Sequence, residues 1–377
     1  MITWFLKAIA VLLIATPCFA DYSGFTYRRA LTIDHTKVST QSLTYADFPV
    51  YFSTNNVTLS TSSGGGRLTN VNSYDIVFST HNDCSYLLNW GTQTINTSGI
   101  GVYSAWVKIP EVSSTTDTTF YTCYGNASVS SFLGNSTSTW DSNYVGVWHM
   151  DDNEANLVVA ESTVYASTAA NSQNTNTRSI AGPVGNALQY QAGDGPASII
   201  KASPYDFTTE DYSVEMWWRP TIYQQYSVFI GNLQYPVKGW YFQWASAGRI
   251  QAVSLYGTYR LYLNSYTGFS VNNWYHLTFT RTGTSWKWYL NGSPAGSNTN
   301  YANATSSAGN TLRFGSENAS AADDIDEIRI SNSARSYGWI QTSYNNQSSP
   351  STFITFGDEE TSAPPESAER NRIWMLN

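Results

Sequence analysis

Charged residues are scarce in this 377-residue chain. Asp, Glu, Lys and Arg make up 12% of it, against roughly 25% in an average soluble protein. Long helices lean on Glu, Lys and Arg for their solvent face, so the shortage argues against a helical fold. What charge there is runs acidic, 19 basic against 27 acidic residues for a net −8, with no basic run. That removes the electrostatic footprint of a nucleic-acid binder, and an anionic membrane surface would repel the chain. Histidine is also rare. His35, His81, His149 and His276 are scattered, none at metal-ligand spacing to another His or Cys, so no zinc motif can be read. Gly64-Gly65-Gly66 lacks the Lys-Ser/Thr of a phosphate-cradling loop. A Ser-His-Asp set cannot be read either, since such partners need only meet in space.

Long apolar runs are missing too. A bilayer span needs about 20 residues, and the one apolar run near the start, Ala8 to Ala15, is too short. It reads instead as the centre of an export signal. Lys7 closes a positive n-region, Pro17 breaks the helix, and Cys18-Phe19-Ala20 sets small residues at −3 and −1 of a cut before Asp21. Residues 1–20 are expected to be removed, and losing Lys7 leaves 18 basic against 27 acidic residues, or −9. Of three cysteines only Cys84 and Cys123 then remain. An even pair in an oxidising compartment is expected to form a disulfide.

Aromatics reach 15%, enough to build a sizeable core. Short alternating apolar runs fill residues 24–127: Tyr27 to Ile33, Phe48 to Phe52, Tyr74 to Phe78, Tyr103 to Ile109 and Thr119 to Tyr124. Separated by Gly, Asn and Ser clusters, they predict an antiparallel sandwich or barrel. Residues 128–143 read as a Ser/Thr-rich linker. A second β run starts at Val145 and includes Ser213 to Trp218, Trp240 to Trp244, Trp274 to Thr280 and Trp286 to Leu290. Asn291-Gly292 after the last of these is the clearest hairpin signal, because both residues tolerate φ > 0. Ser336 to Tyr344 predicts one short helix, with Trp339, Ile340 and Tyr344 on one side. The expected organisation is a signal peptide (1–20), a β-sandwich (21–127), a linker (128–143), a second β-sandwich (144–357) and a disordered tail (358–377). The two halves are expected to melt separately.

Two stretches resemble known families. Tyr27-Arg28-Arg29-Ala30-Leu31-Thr32-Ile33-Asp34, Asp47-Phe48-Pro49-Val50, Tyr74-Asp75-Ile76-Val77-Phe78, Ala105-Trp106-Val107-Lys108-Ile109-Pro110 and Tyr124-Gly125-Asn126-Ala127 resemble, in order and spacing, bacterial extracellular domains of unknown function. Where that family carries a His-Glu pair, this chain has Leu88-Asn89-Trp90. The second half resembles the concanavalin A-like, laminin-G-like jelly rolls. Gly146-Val147-Trp148-His149-Met150, Val184-Gly185-Asn186-Ala187-Leu188, Ser213-Val214-Glu215-Met216-Trp217, Trp274-Tyr275-His276-Leu277, Tyr289-Leu290-Asn291-Gly292 and Ile325-Asp326-Glu327-Ile328-Arg329-Ile330 carry the likeness. It implies a two-sheet antiparallel sandwich that binds glycans or proteins, often with Ca²⁺. The fold class expected is thus all-β, two antiparallel sandwiches in series.

The fold hosts lectins, glycanases and spacers, so function rests on the site. A jelly-roll glycanase sets carboxylates on alternate strand positions, and a retaining pair needs about 5 to 5.5 Å between them. Asp324 and Asp326 share a strand face, but Ile328 stands where the acid should be, and alternation turns Glu327 the other way. No catalytic residue is therefore expected. For Ca²⁺, which takes oxygen ligands, Asp194, Asp324 and Asp326 are the candidates. Sugar rings stack on partly exposed aromatics, and the expected ligand-binding residues are Trp218, Tyr223, Tyr226, Tyr256 and Tyr259, the tyrosines in loops. Fourteen tryptophans exceed what two sandwich cores need, so some are expected outside. These readings point to an exported, non-catalytic module recognising a glycan, with a structural or adhesive surface protein and a glycan-cleaving hydrolase as alternatives.

Overall fold

A computed structural model describes residues 23–96, 101–199, 204–234, 238–246, 248–256, 259–265, 268–299, 311–315, 318 and 320–362. The expected signal peptide lies outside them. Among the described residues the regular structure is mostly strand, every pairing between named strands is antiparallel, and the second half is a two-sheet sandwich. No helix among the described residues is long and apolar enough to cross a membrane.

The first half packs two sheets. One runs Ile354–Phe356, Tyr27–Ile33, Thr118–Tyr124, Ile76–Ser79, and the other Thr44–Asn55, Val102–Ser113, Trp90–Asn96. Alternation explains both faces of the second sheet. Phe48, Val50 and Phe52 pair with Ile109, Val107 and Ala105 and share one buried face, while Tyr51 and its partner Trp106 point the other way. That opposite face is buried as well, because the second half packs on it. Cys84, in the loop after Ile76–Ser79, is bonded to Cys123 with 6.3 Å between their Cα atoms. Closing a loop of this length, 39 residues apart in sequence, stabilises by about 4 kcal/mol in the chain-entropy model. Cys84→Ser with Cys123→Ser should lower the denaturation midpoint accordingly, and an unchanged midpoint in urea would refute that.

The second half is two eight-stranded sheets. In one, Ala322–Ser331 lies between Asn186–Tyr190 and Tyr212–Ile222, and Tyr275–Thr282, Ser285–Leu290 and Ser293–Asn298 follow outward. The other is centred on Val228–Gln234, Lys238–Ser246 and Arg249–Tyr256. Trp148, Trp218, Trp240, Phe242, Trp244, Phe279, Trp286 and Trp288 fill the space between them. Asn291 and Gly292, at φ 48° and 71°, make the predicted two-residue turn.

A helix, Tyr337–Ser348, lies between the halves. Ser336 Oγ accepts from the Trp339 N–H and caps it. Toward the first half, the Asn346 side chain accepts from the Tyr51 N–H (2.6 Å) and donates to the Tyr51 carbonyl (2.9 Å), as a neighbouring strand would. Thr342 Oγ1 accepts from the Ser39 N–H, and Asn345 donates to the Lys37 carbonyl. Toward the second half, Ser343 Oγ donates to Glu215 and the Gln347 side-chain oxygen accepts from the Trp217 indole.

Two expectations are corrected here. The chain beyond 357 does not begin a disordered tail: Glu360–Thr361 pairs with Arg28 and Tyr27, Glu359 accepts from Arg67 and the Tyr124 hydroxyl, and Glu360 pairs with Arg28. Residues 363–377 lie outside the described ones. Nor are the halves built as separable units. Ile354–Phe356 is an edge strand of the first half's sheet, and the first hydrophobic cluster takes in Tyr144, Val147, Val184, Trp217, Trp339, Phe353 and Ile354. The expected linker, residues 128–143, lies some two hundred positions before the helix and the edge strand that join the halves.

Candidate functional site

Strand Ala322–Ser331 is buried at every position and carries four acids and an arginine in ten residues. Alternation sends Asp323, Ile325, Ile328 and Ile330 toward the second core, where the isoleucines pack. It breaks at Glu327, whose φ is +51°, where the register against Tyr212–Ile222 skips. Such a bulge re-aims one side chain. Glu327 therefore joins Asp326 and Arg329 on the face toward the first half, a correction to the expectation that it points away from Asp326.

There it meets groups from both halves. Glu327 Oε1 accepts from Gln93 Nε2 (2.9 Å) and the Trp106 indole (3.3 Å), and shares a 2.8 Å hydrogen bond with His149 Nδ1. Its other oxygen pairs with Arg329 at 2.9 Å. Arg329 reaches Glu215 at 3.2 Å, and its guanidinium lies over the Trp106 ring, 4.0 Å from the centroid. Glu215 further contacts His276, Ser343 and Gln347. Burial pushes Glu215 up, but His276 and Arg329 outweigh it and hold it down at about 2. Glu327 is likewise raised by burial and lowered further by His149 and Arg329, with a net fall. Burial lifts Asp151 to about 6 against the pull of His149, and lifts Asp326 well above the usual range, with the Glu327 charge adding to it. A buried charge without a partner is costly, so the chain surrounds each glutamate with donors. The result is a polar seam in which both glutamates are engaged.

The other predicted positions sit as follows. Asp194 accepts from Arg178 Nε and Nη2 (2.6 and 2.7 Å) and from the Gln191 N–H. Asp324 pairs with Arg219 at 2.6 Å, and buried Asp326 accepts from the Val184 N–H at 2.9 Å. Ca²⁺ needs six to eight oxygens around one point, and these three carboxylates, each committed elsewhere, do not fit a shared site. The one group of three close ligand atoms among the described residues is Asp34, His35 and Asp117, at the surface and with His35 and Asp117 already paired at 2.6 Å.

Trp218 is wholly buried, stacked on Phe229 with its indole donating to Asp323, so it cannot stack on a ligand. It lies on the core side of its strand, and Trp217 on the other. Tyr256 and Tyr259 are not in loops: they end two paired strands and face each other across a two-residue connection. Their side chains lie outside the described residues. Tyr223 and Tyr226 are at the surface, 36% and 64% exposed. They share the loop 223–227 with Gln224 and Gln225, Tyr223 meets Trp244 edge-on, and the Tyr226 N–H donates to the Trp244 carbonyl. Exposed Ile222 ends the adjoining strand, and the Asn272 N–H bonds to Pro220 so that exposed Val271 sits near it. The tryptophan surplus is explained differently from the expectation. Of fourteen, eleven are buried, Trp274 is half-buried, and Trp4 and Trp374 lie outside the described residues. Trp106, Trp140, Trp217 and Trp339 occupy the seam, a third interface that two sandwiches counted separately do not have.

The seam was missed, though a signal existed: Glu215 and Arg329 interrupt apolar strands, and fully buried charges are almost always paired. Asp323 is a related case. One oxygen accepts from Trp218 at 3.0 Å, the other has no partner, and burial pushes the carboxyl up to about 7. An acid protonated to about pH 7 when folded, yet ionising near 3.8 when unfolded, stabilises fully below pH 4 and loses that contribution as pH rises to 7. Asp323→Asn should thus melt above wild type at pH 8, with the gap closing toward pH 4. A gap independent of pH would refute the assignment.

Residues 193–341 match the family described as the concanavalin A-like lectin/glucanases superfamily. No curated protein matches the chain. Among solved structures it is similar to the binding domain of Paraclostridial Mosquitocidal Protein 1 (13% identity, TM-score 0.45, 54% of this chain and 52% of that one). It is similar also to the botulinum neurotoxin serotype G binding domain (15%, 0.43, 54% and 50%). A third is Domain 4 of AbnA, an extracellular arabinanase from Geobacillus stearothermophilus, in complex with arabinotriose (17%, 0.43, 54% and 98%). The chain spans about half the length of the two toxin domains.

Proposed function

We propose that the protein is exported and recognises a neutral polysaccharide or cell-surface glycan without cleaving it, through the rim of its second sandwich. The observation that carries this reading is the loop 223–227, where exposed Tyr223 and Tyr226 stand beside Gln224 and Gln225 within the stretch that matches the lectin/glucanase superfamily. A tyrosine ring stacks on the C–H side of a sugar while amides hold its hydroxyls. The net charge of −8 favours uncharged ligands there. Support for a non-catalytic role comes from strand Ala322–Ser331, where Asp324, Asp326 and Glu327 are buried and each bonded to a protein donor, so none presents a carboxyl at the surface to a glycosidic bond. The Cys84–Cys123 bond supports export, since disulfides persist in oxidising compartments.

The test is a glycan array on the mature chain, with reducing-sugar release measured on every glycan bound. Tyr226→Ala should weaken binding several-fold at unchanged melting temperature, because a few anchors dominate such contacts and this ring is exposed. Binding that ignores Tyr226, or sugar released from a bound glycan, would count against the reading.

A further inference from the structure

Away from the rim, a second surface feature has the opposite charge. Strand Ser285–Leu290 alternates, Trp286 and Trp288 entering the core, so Lys287 and Tyr289 point outward. Its partner Ser293–Asn298 is the edge of the sheet, and the register sets Ser297 opposite Lys287 and Pro294 opposite Tyr289. The register shifts between Trp288 and Tyr289, and Gly296, opposite Trp288, also lines the wall. The first residue of the helix, Tyr337, lays its ring nearly parallel to Tyr289, 12° between planes and 5.9 Å between centroids, and its hydroxyl accepts from Gln341. Lys287, Tyr289, Pro294, Gly296, Ser297 and Tyr337 thus line a cavity of about 340 Å³, at the small end of the roughly 300–1,000 Å³ usual for ligand sites.

Lys287 is the single charged side chain on this wall. It is exposed and makes no ion pair among the described residues, and the first turn of the helix carries no acid. In a chain of net −8 that is a locally positive pocket with an aromatic side.

We propose that this cavity binds a sugar unit bearing an anionic group, a carboxylate or a sulfate, on its ring. The inference rests on the recognition reading but concerns another site. The ammonium of Lys287 is a compact charge with three donors, which meets a single anionic group without the planar demand of an arginine. Tyr337 supplies the aromatic contact for ring C–H groups, and the Ser297 hydroxyl bonds a sugar hydroxyl. An uncharged sugar covering Lys287 would desolvate the ammonium and offer it no counter-charge.

The experiment is isothermal titration of the full mature chain with a uronic-acid disaccharide, a sulfated disaccharide and the matching uncharged disaccharide. The charged sugars should bind at least tenfold more tightly than the uncharged one, and more weakly as salt rises. The carboxylate and sulfate arms tell which anion is preferred. Lys287→Gln should erase the tenfold preference at unchanged melting temperature, Lys287→Arg should keep most of it, and Tyr337→Ala should weaken all three ligands. Tyr226→Ala should leave charged-sugar binding intact. Equal binding of charged and uncharged sugars, or a preference that survives Lys287→Gln, overturns the inference. Charged-sugar binding lost in Tyr226→Ala and kept in Lys287→Gln overturns it too, while leaving the rim reading standing. Neutral glycans that fail to bind at the rim, with the Lys287-dependent preference intact, sink the rim reading alone.

Discussion

Arg329→Met should destabilise the protein by about 3–5 kcal/mol, the usual cost of removing one partner from a buried ion pair. Glu215 and Glu327 would remain behind Trp106 and the helix without the guanidinium they share. Glu215 would keep His276, Ser343 and Gln347, which sets the lower end of the range. The pH dependence supplies a second check. In the native protein Glu215 is held at about 2 against an ordinary 4.5, so its stabilisation is present above pH 4.5 and lost as pH falls toward 2. The variant lacks part of that stabilisation, so its deficit should be largest near neutral pH and shrink on acidification. Urea titrations of both proteins between pH 3 and 7 measure it. A deficit under 1 kcal/mol at pH 7, or one that grows in acid, would show that the seam contributes little.

Residues 21–143 produced alone should not fold. The strand Tyr27–Ile33 would lose Ile354–Phe356 and Glu360–Thr361 on one side, and Tyr51 would lose Asn346, which satisfies both its N–H and its carbonyl. Trp339, Phe353 and Ile354 would vanish from the cluster around Phe48, and Trp106 would face water. A domain of this size is stable by only about 5–15 kcal/mol, a margin that the loss of two strands and three core side chains is expected to remove. The intact chain should accordingly melt as one unit, apart from fraying ends. Near-ultraviolet circular dichroism and proton NMR of the fragment are the readouts. A cooperative thermal transition with dispersed amide signals in residues 21–143 would restore the separable-halves expectation.

What the sequence by itself determined was local. Period-2 runs placed the strands, Asn291-Gly292 the hairpin and Ser336 to Tyr344 the short helix, and the motifs of the second half pointed to its sandwich. Each depends on residues within a few positions of one another, where backbone dihedrals and side-chain direction are set. Tertiary structure decided the rest. A one-residue bulge at Glu327 reversed the facing of an acid that alternation had sent elsewhere, and pairing with Tyr27–Ile33 gave a late segment to the first half. Trp218 became core and Tyr226 surface because one sits inside a sheet and the other in a turn at its end. Counting tryptophans could not reveal the seam, since the number of buried faces depends on how many layers meet. Burial and charge pairing belong to surfaces assembled from distant residues, and no local spacing carries that information.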